Sequence, residues 1–258
     1  MNSSSYRVMR TKKSFRTSPE LPLDLGSFQR FVERYHQSLY RYFAVHTSGD
    51  LVSAEAMTLK TFAILYGKSA AVPRHNFTSW LFGIAWDVLN AHESQKNLDA
   101  ADVVTSAKKN GRAGQPTMTR TLKTLRALPF YPREAIYLRH FADLGTQDIA
   151  VLMEKSEANI QVLVYQGMTE FACRMENLEY RALPRKQVLP LAQSYHLYLD
   201  DLLAGILSQQ EIPVDVAHVT HQLKALREIF SLKADARSQL ISRMEQIYRP
   251  ENSYTTRL

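Results

Sequence analysis

Apolar residues return at steps of three and four along nearly the whole chain, and no stretch of any length alternates apolar with polar. That rhythm builds one-sided helices and leaves no strand to pair into a sheet. Phe28, Phe31, Val32, Tyr35, Leu39, Tyr42 and Phe43 form the first stripe. Thr47-Ser48-Gly49-Asp50 breaks it with turn and capping residues. A second helix is predicted from about Leu51, with Ala54, Met57, Thr61, Phe62 and Leu65 inward. After a loop from Gly67 to Asn76 that contains Pro73, a third runs from about Thr78 past Trp80, Leu81, Ile84, Ala85, Val88 and Leu89.

Residues 92–118 turn polar and carry Lys108, Lys109, Gly111, Arg112, Gly114 and Pro116, a linker by composition. Helices resume at Thr119, are interrupted by Pro129 and Pro132, and continue to about Met175. Pro184 and Pro190 open a further segment, in which Leu191 to Leu207 is amphipathic, Glu211-Ile212-Pro213 breaks the pattern, and Val216 to about Tyr248 reads as one or two more helices. The expected fold class is therefore all-α. Two helical domains, 23–93 and 119–175, are joined by a flexible linker at 94–118. A basic tail expected to be disordered precedes them at 1–22, and a helical extension follows at 176–258.

The net charge of +7 favours a polyanionic partner, because cationic side chains that neutralise phosphates release condensed counterions. A single cysteine, Cys173, excludes an internal disulfide and any cysteine-based zinc cluster. His218 and His221 lie one helical turn apart but have no third ligand at an obvious spacing, so no metal and no cofactor is expected. No apolar run is long enough to cross a bilayer and the start has no signal-peptide core, which points to a cytoplasmic protein without a membrane partner. Phosphate-binding glycine loops, the nucleophile elbow and His-Glu-x-x-His are all missing, so no enzyme is expected.

Two motifs carry the function. Trp80-Leu81-Phe82-Gly83-Ile84-Ala85 closes the first apolar stretch. Leu144-Gly145-Thr146-Gln147-Asp148-Ile149-Ala150-Val151-Leu152-Met153, followed by Ser156-Glu157-Ala158-Asn159-Ile160, reads as a helix-turn-helix with Thr146 as an N-cap and Ala150 at the helix crossing. In this order, over roughly residues 25–172, the chain resembles the extracytoplasmic-function sigma factors of bacterial RNA polymerase. The resemblance implies a transcription initiation factor that binds core RNA polymerase and recognises and opens promoter DNA.

It also implies roles. Ala54 to Phe62 is similar to the family's clamp-binding run, so Asp50, Glu55, Met57, Thr61 and Phe62 would bind polymerase. Capture of unpaired bases needs aromatic faces. Trp80 is expected to pack the bundle, while Trp86, expected at the surface, would lie with Asp87 and Asn90 near the melted strand. Arg139, Thr146, Gln147, Ala158, Asn159, Gln161 and Tyr165 would face duplex DNA, where amide side chains pair with adenine. The match is uneven at charged positions. Ala56, Leu59 and Lys60 stand where the family has an acid, a glutamine and an acid, and Gln161, Leu163 and Gln166 where it has basic residues. Glu154 or Lys155 replaces its turn glycine. The extension at 176–258 suggests intramolecular inhibition or a fused anti-sigma module, beside a plain stabilising cap. Two further readings stay open: a sigma-like decoy or adaptor without initiation activity, and an ordinary helix-turn-helix repressor.

Overall fold

A computed structural model describes residues 25–68, 73, 76–102, 116–204 and 214–247. The tail at 1–22 and most of the glycine-rich part of the linker lie outside them. Among the described residues the chain is all-α: α1 (Leu25–His46), α2 (Leu51–Gly67), α3 (Phe77–Asp102), α4 (Pro116–Arg126), α5 (Phe130–Ile136), α6 (Thr146–Met153), α7 (Glu157–Met175), α8 (Arg185–Ala204), α9 (Val214–Ile229) and α10 (Ala234–Ile247). A wider, π-type turn at Tyr137–Phe141 prolongs α5.

The described helices fall into two compact units. One comprises α4 to α9. The other comprises α1, α2 and α3 together with α10. The segment after residue 176 is thus divided: α8 and α9 build onto the helix-turn-helix unit, and α10 belongs to the first bundle.

In the α1–α3 bundle the core is aromatic and aliphatic. Tyr42, Phe43, Phe62, Leu65, Leu81 and Phe82 are almost completely enclosed. Tyr42 meets Phe82 edge-on at 5.5 Å, and Phe28 meets Phe62 at 6.3 Å, geometries that suit the aromatic quadrupole. The turn after α1 places Ser48 and Gly49 at positive φ, and the Gly49 N–H donates to the Ala44 carbonyl at 2.8 Å. Asp50 then caps α2, accepting from the Ser53 N–H at 3.2 Å and its hydroxyl at 2.8 Å. Burial pushes the Asp50 carboxyl up, but the bonds from Ser53 and Val52 and the charge of Lys96 together hold it below the usual carboxylate range.

α3 continues to Asp102, beyond the expected linker boundary at 94. The segment His92 to Asp102 is polar, which suits a linker, yet it contains neither glycine nor proline and is rich in good helix formers. Polarity here marks a helix end, with Ser94, Gln95 and Lys96 exposed.

In the second unit Pro129 sits at the N-cap of α5 and Pro132 in its first turn. Neither costs a helical hydrogen bond, because first-turn N–H groups have no carbonyl to pair with. α7 is the axis of the unit, packed by α5, α6, α8 and α9. Its Gly167 is where α5 comes closest: a Cβ there would stand 2.8 Å from Ile136 Cδ1 and 3.0 Å from Pro132 Cβ.

Candidate nucleic-acid interface

The helix-turn-helix is α6, a tight turn, and α7. Gly145, in extended conformation, is the N-cap of α6, and Thr146 is its first helical residue and caps nothing through its side chain. The expected N-cap is therefore displaced by one position. α6 ends on Glu154 in the left-handed region (φ 53, ψ 45), with the Lys155 N–H donating to the Ala150 carbonyl at 3.0 Å. Of the two residues in question, Glu154 is the one that fills the turn position where glycine is favoured, at a cost of about 1 kcal/mol for a side chain bearing a Cβ. Ser156 caps α7, its hydroxyl accepting from the Asn159 N–H at 3.3 Å. Ala150 is buried at the crossing.

This turn leaves the start of α7 open. Glu157 is exposed, and Ala158, Asn159 and Gln161 are half-buried, as is Thr146; Gln147 on α6 is exposed. Ile160 and Val162 point inward. The open end of α7 thus presents amides and one acid, and no cation. Lys155, just before it, lies with Nζ 4.3 Å from the centre of the Tyr131 ring.

Two residues expected to face DNA are internal. Arg139 is 5% exposed. Its guanidinium forms an ion pair with Asp200 of α8 and donates to the Leu144 carbonyl at 3.2 Å. It lies in the π-type turn, within a stretch from Glu134 to Ala142 that is buried on every side. Tyr165 is buried against Tyr195 of α8, with ring centroids 5.8 Å apart. Both positions became internal because α8 lies against this unit.

α8 and α9 are tied down elsewhere too. Arg227 pairs with Asp143 and donates to the His140 carbonyl at 3.3 Å, and the Tyr195 and Thr220 hydroxyls share a hydrogen bond of 3.1 Å. His196 of α8 lies buried beside the Gln161 backbone. Burial first, then the neighbouring Arg139, pushes the His196 imidazole down to about 4. Burial, followed by Arg139 and Arg227, pushes His140 down to about 3. Farther along α7, Thr169, Cys173, Tyr180, Leu183, Val188 and His218 line part of a cavity of about 530 Å³. No group of three or more metal-ligating side chains occurs among the described residues.

The first bundle gathers a different set. Trp86 is 3% exposed and packs edge-on to His46 at 6.3 Å, so it is a core residue. Trp80 is half-buried. Trp86 is thus internal where a surface position was expected, and Trp80, expected to pack the bundle, does so only in part. Six residues on an α-helix turn through roughly 240° beyond a full circle, so the pair cannot share a face. Trp86 lies one turn from the buried Phe82 and Leu89 and goes with them. Asp87 is exposed and Asn90 half-buried.

Trp80 instead joins an aromatic group that the reading of the sequence missed. Phe31 stacks on Phe77 at 4.5 Å, Tyr35 lies 5.4 Å and Trp80 6.0 Å from the same ring, and all four are half-buried. Exposed Arg30 and Arg34 flank them on α1, Arg34 over the Tyr35 ring at 5.4 Å. The i, i+4 spacing of Phe31 and Tyr35 was a legible sign that they share a face. Among the clamp-docking candidates, Met57, Thr61 and Phe62 are buried. Asp50 is exposed as a cap, and Glu55, half-buried, is paired with Arg243 of α10.

Residues 119–171 match the family model described as sigma-70, region 4. The match spans α4 from Thr119, through α5 and α6, and most of α7. No curated protein and no solved structure gives a significant match to the chain. No described helix is long and apolar enough to cross a membrane.

Proposed function

We propose, on the match of residues 119–171 to sigma-70 region 4, that the protein is an initiation factor of the extracytoplasmic-function type. It binds core RNA polymerase, reads an upstream promoter element with α6 and α7, and holds melted promoter DNA on its first bundle. The observation that carries this reading is the region 4 match laid over an open α7 N-terminus.

The roles follow from chemistry. Asn159 and Gln161 read base edges, because an amide offers a donor and an acceptor to adenine together. Gln147 and Thr146 bond to the sugar-phosphate backbone. With no cation at the open end of α7, phosphate attraction is weak, and specificity rests on amides and on polymerase tethering the factor at its promoter. Unpaired bases stack on Phe77 and Trp80, with Arg30 and Arg34 neutralising the strand. This assigns to Trp80 the work the sequence suggested for Trp86, while Asp87 and Asn90 stay beside the strand. Glu55 and Asp50 supply the acidic contacts to polymerase, and Met57, Thr61 and Phe62 support them from beneath.

The decoy reading has its own support in Lys60, Gln161, Leu163 and Gln166, positions where contact charge is missing or reversed. Co-elution decides between partners. Full-length protein mixed with core RNA polymerase is expected to migrate with it on size exclusion. Elution apart from the enzyme at micromolar concentration would overturn the polymerase-binding reading.

A further inference from the structure

α10 is the last described helix of the chain, yet it packs in the first bundle against α2. Its contact is built. Phe230, Leu240 and Met244 are each 1% exposed. The last two, four residues apart, form one apolar stripe. Arg243, beside them, pairs with Glu55 of α2. The lead-in is fixed to α1: Arg41 Nε donates to the Ser231 hydroxyl at 3.1 Å, and the Leu232 N–H donates to the Gln37 side-chain oxygen at 3.1 Å.

This is where the proposed docking residues lie. Of the five, only Asp50 and Glu55 reach the surface, and Glu55 is already held by a cation on an amphipathic helix. The face of α2 therefore accepts a helix that offers two apolar side chains one turn apart and an arginine between them. We infer that α10 is an internal competitor for that face, seated where core polymerase would dock, and that polymerase must displace it. The inference rests on the sigma-factor reading of α2. The half-exposed ion pair favours exchange: a surface pair contributes little net stability, so an incoming cation can replace Arg243 at small cost.

The test uses the full chain and two readouts. Arg243→Glu, at an exposed position where folding is not at risk, is expected to tighten binding to core polymerase by about fivefold, the order of one surface ion pair turned to repulsion. Leu240→Asp with Met244→Asp removes the apolar seat and is expected to tighten it further, with circular dichroism checking that the remaining helices persist. Independently, hydrogen exchange in the wild-type complex is expected to show α10 amides losing protection when polymerase binds. Equal affinity of wild type and Arg243→Glu, with α10 still protected in the complex, would overturn the competitor and leave polymerase binding intact. If no form binds polymerase, the docking assignment of α2 fails and the competitor with it.

Discussion

Lowering the pH from 7 to 5 is expected to destabilise the α4–α9 unit by about 4 kcal/mol, a large fraction of the roughly 5–15 kcal/mol that holds a domain folded. The cause is the pair of internal imidazoles. His140 and His196 are each 3% exposed and held neutral, at about 3 and about 4, against roughly 6.5 in an unfolded chain. The depressed group is a base, so the unfolded state takes up protons that the folded state refuses. Stability is therefore fully present above pH 6.5. It falls as pH drops below that value, by about 1.4 kcal/mol per pH unit for each histidine, until the folded pKa values are reached. Hydrogen exchange of the α5–α8 amides measures this directly and avoids the tryptophans, both of which report on the other unit. His196→Gln, which cannot titrate, is expected to halve the slope. Protection in these helices that stays constant between pH 7 and 5 would refute the burial assigned to the two rings.

Two mid-helix glycines are expected to respond to alanine with opposite sign. At Gly83 in α3 nothing stands within 4 Å of an added Cβ, so alanine gains its helix propensity and raises stability by about 1 kcal/mol. At Gly167 in α7 the same gain is outweighed. Ile136 Cδ1 can swing aside, but the Pro132 ring at 3.0 Å and its carbonyl at 3.3 Å belong to the rigid start of α5 and cannot. Overpacking of this kind costs about 1–3 kcal/mol, leaving a net loss of up to about 2 kcal/mol for Gly167→Ala. Denaturant midpoints of the two variants measure the contrast. A stabilised Gly167→Ala would mean that α5 and α7 lie farther apart than described.

These features show what local sequence could and could not disclose. The helices were legible because three- and four-residue spacing determines which side chains can be buried together, and the turn at Thr47 to Asp50 announces itself chemically. The Ser156-started α7 was equally clear. Trp86 was legible in principle, since it lies one turn from Phe82 and Leu89, but the family signature drew attention to Trp80 as the packed residue. Arg139 was not legible. It sits in a stretch buried on every side, and its ion-pair partner, Asp200, is sixty-one residues away. The destination of the C-terminal helices was hidden for a similar reason. An amphipathic stripe such as Leu240 and Met244 shows that a helix must be covered, but not by which partner, and only the fold sends α8 and α9 to one unit and α10 to the other.

Initiation by polymerase carrying this chain, as proposed, is tested most directly by transcription itself. Run-off transcription with purified core RNA polymerase, full-length protein and templates carrying selected upstream and minus-ten elements is expected to yield a product of defined length. Asn159→Ala and Trp80→Ala are expected to reduce it while polymerase binding is retained. Polymerase that binds the protein yet initiates on no template would contradict the account and establish a decoy in its place.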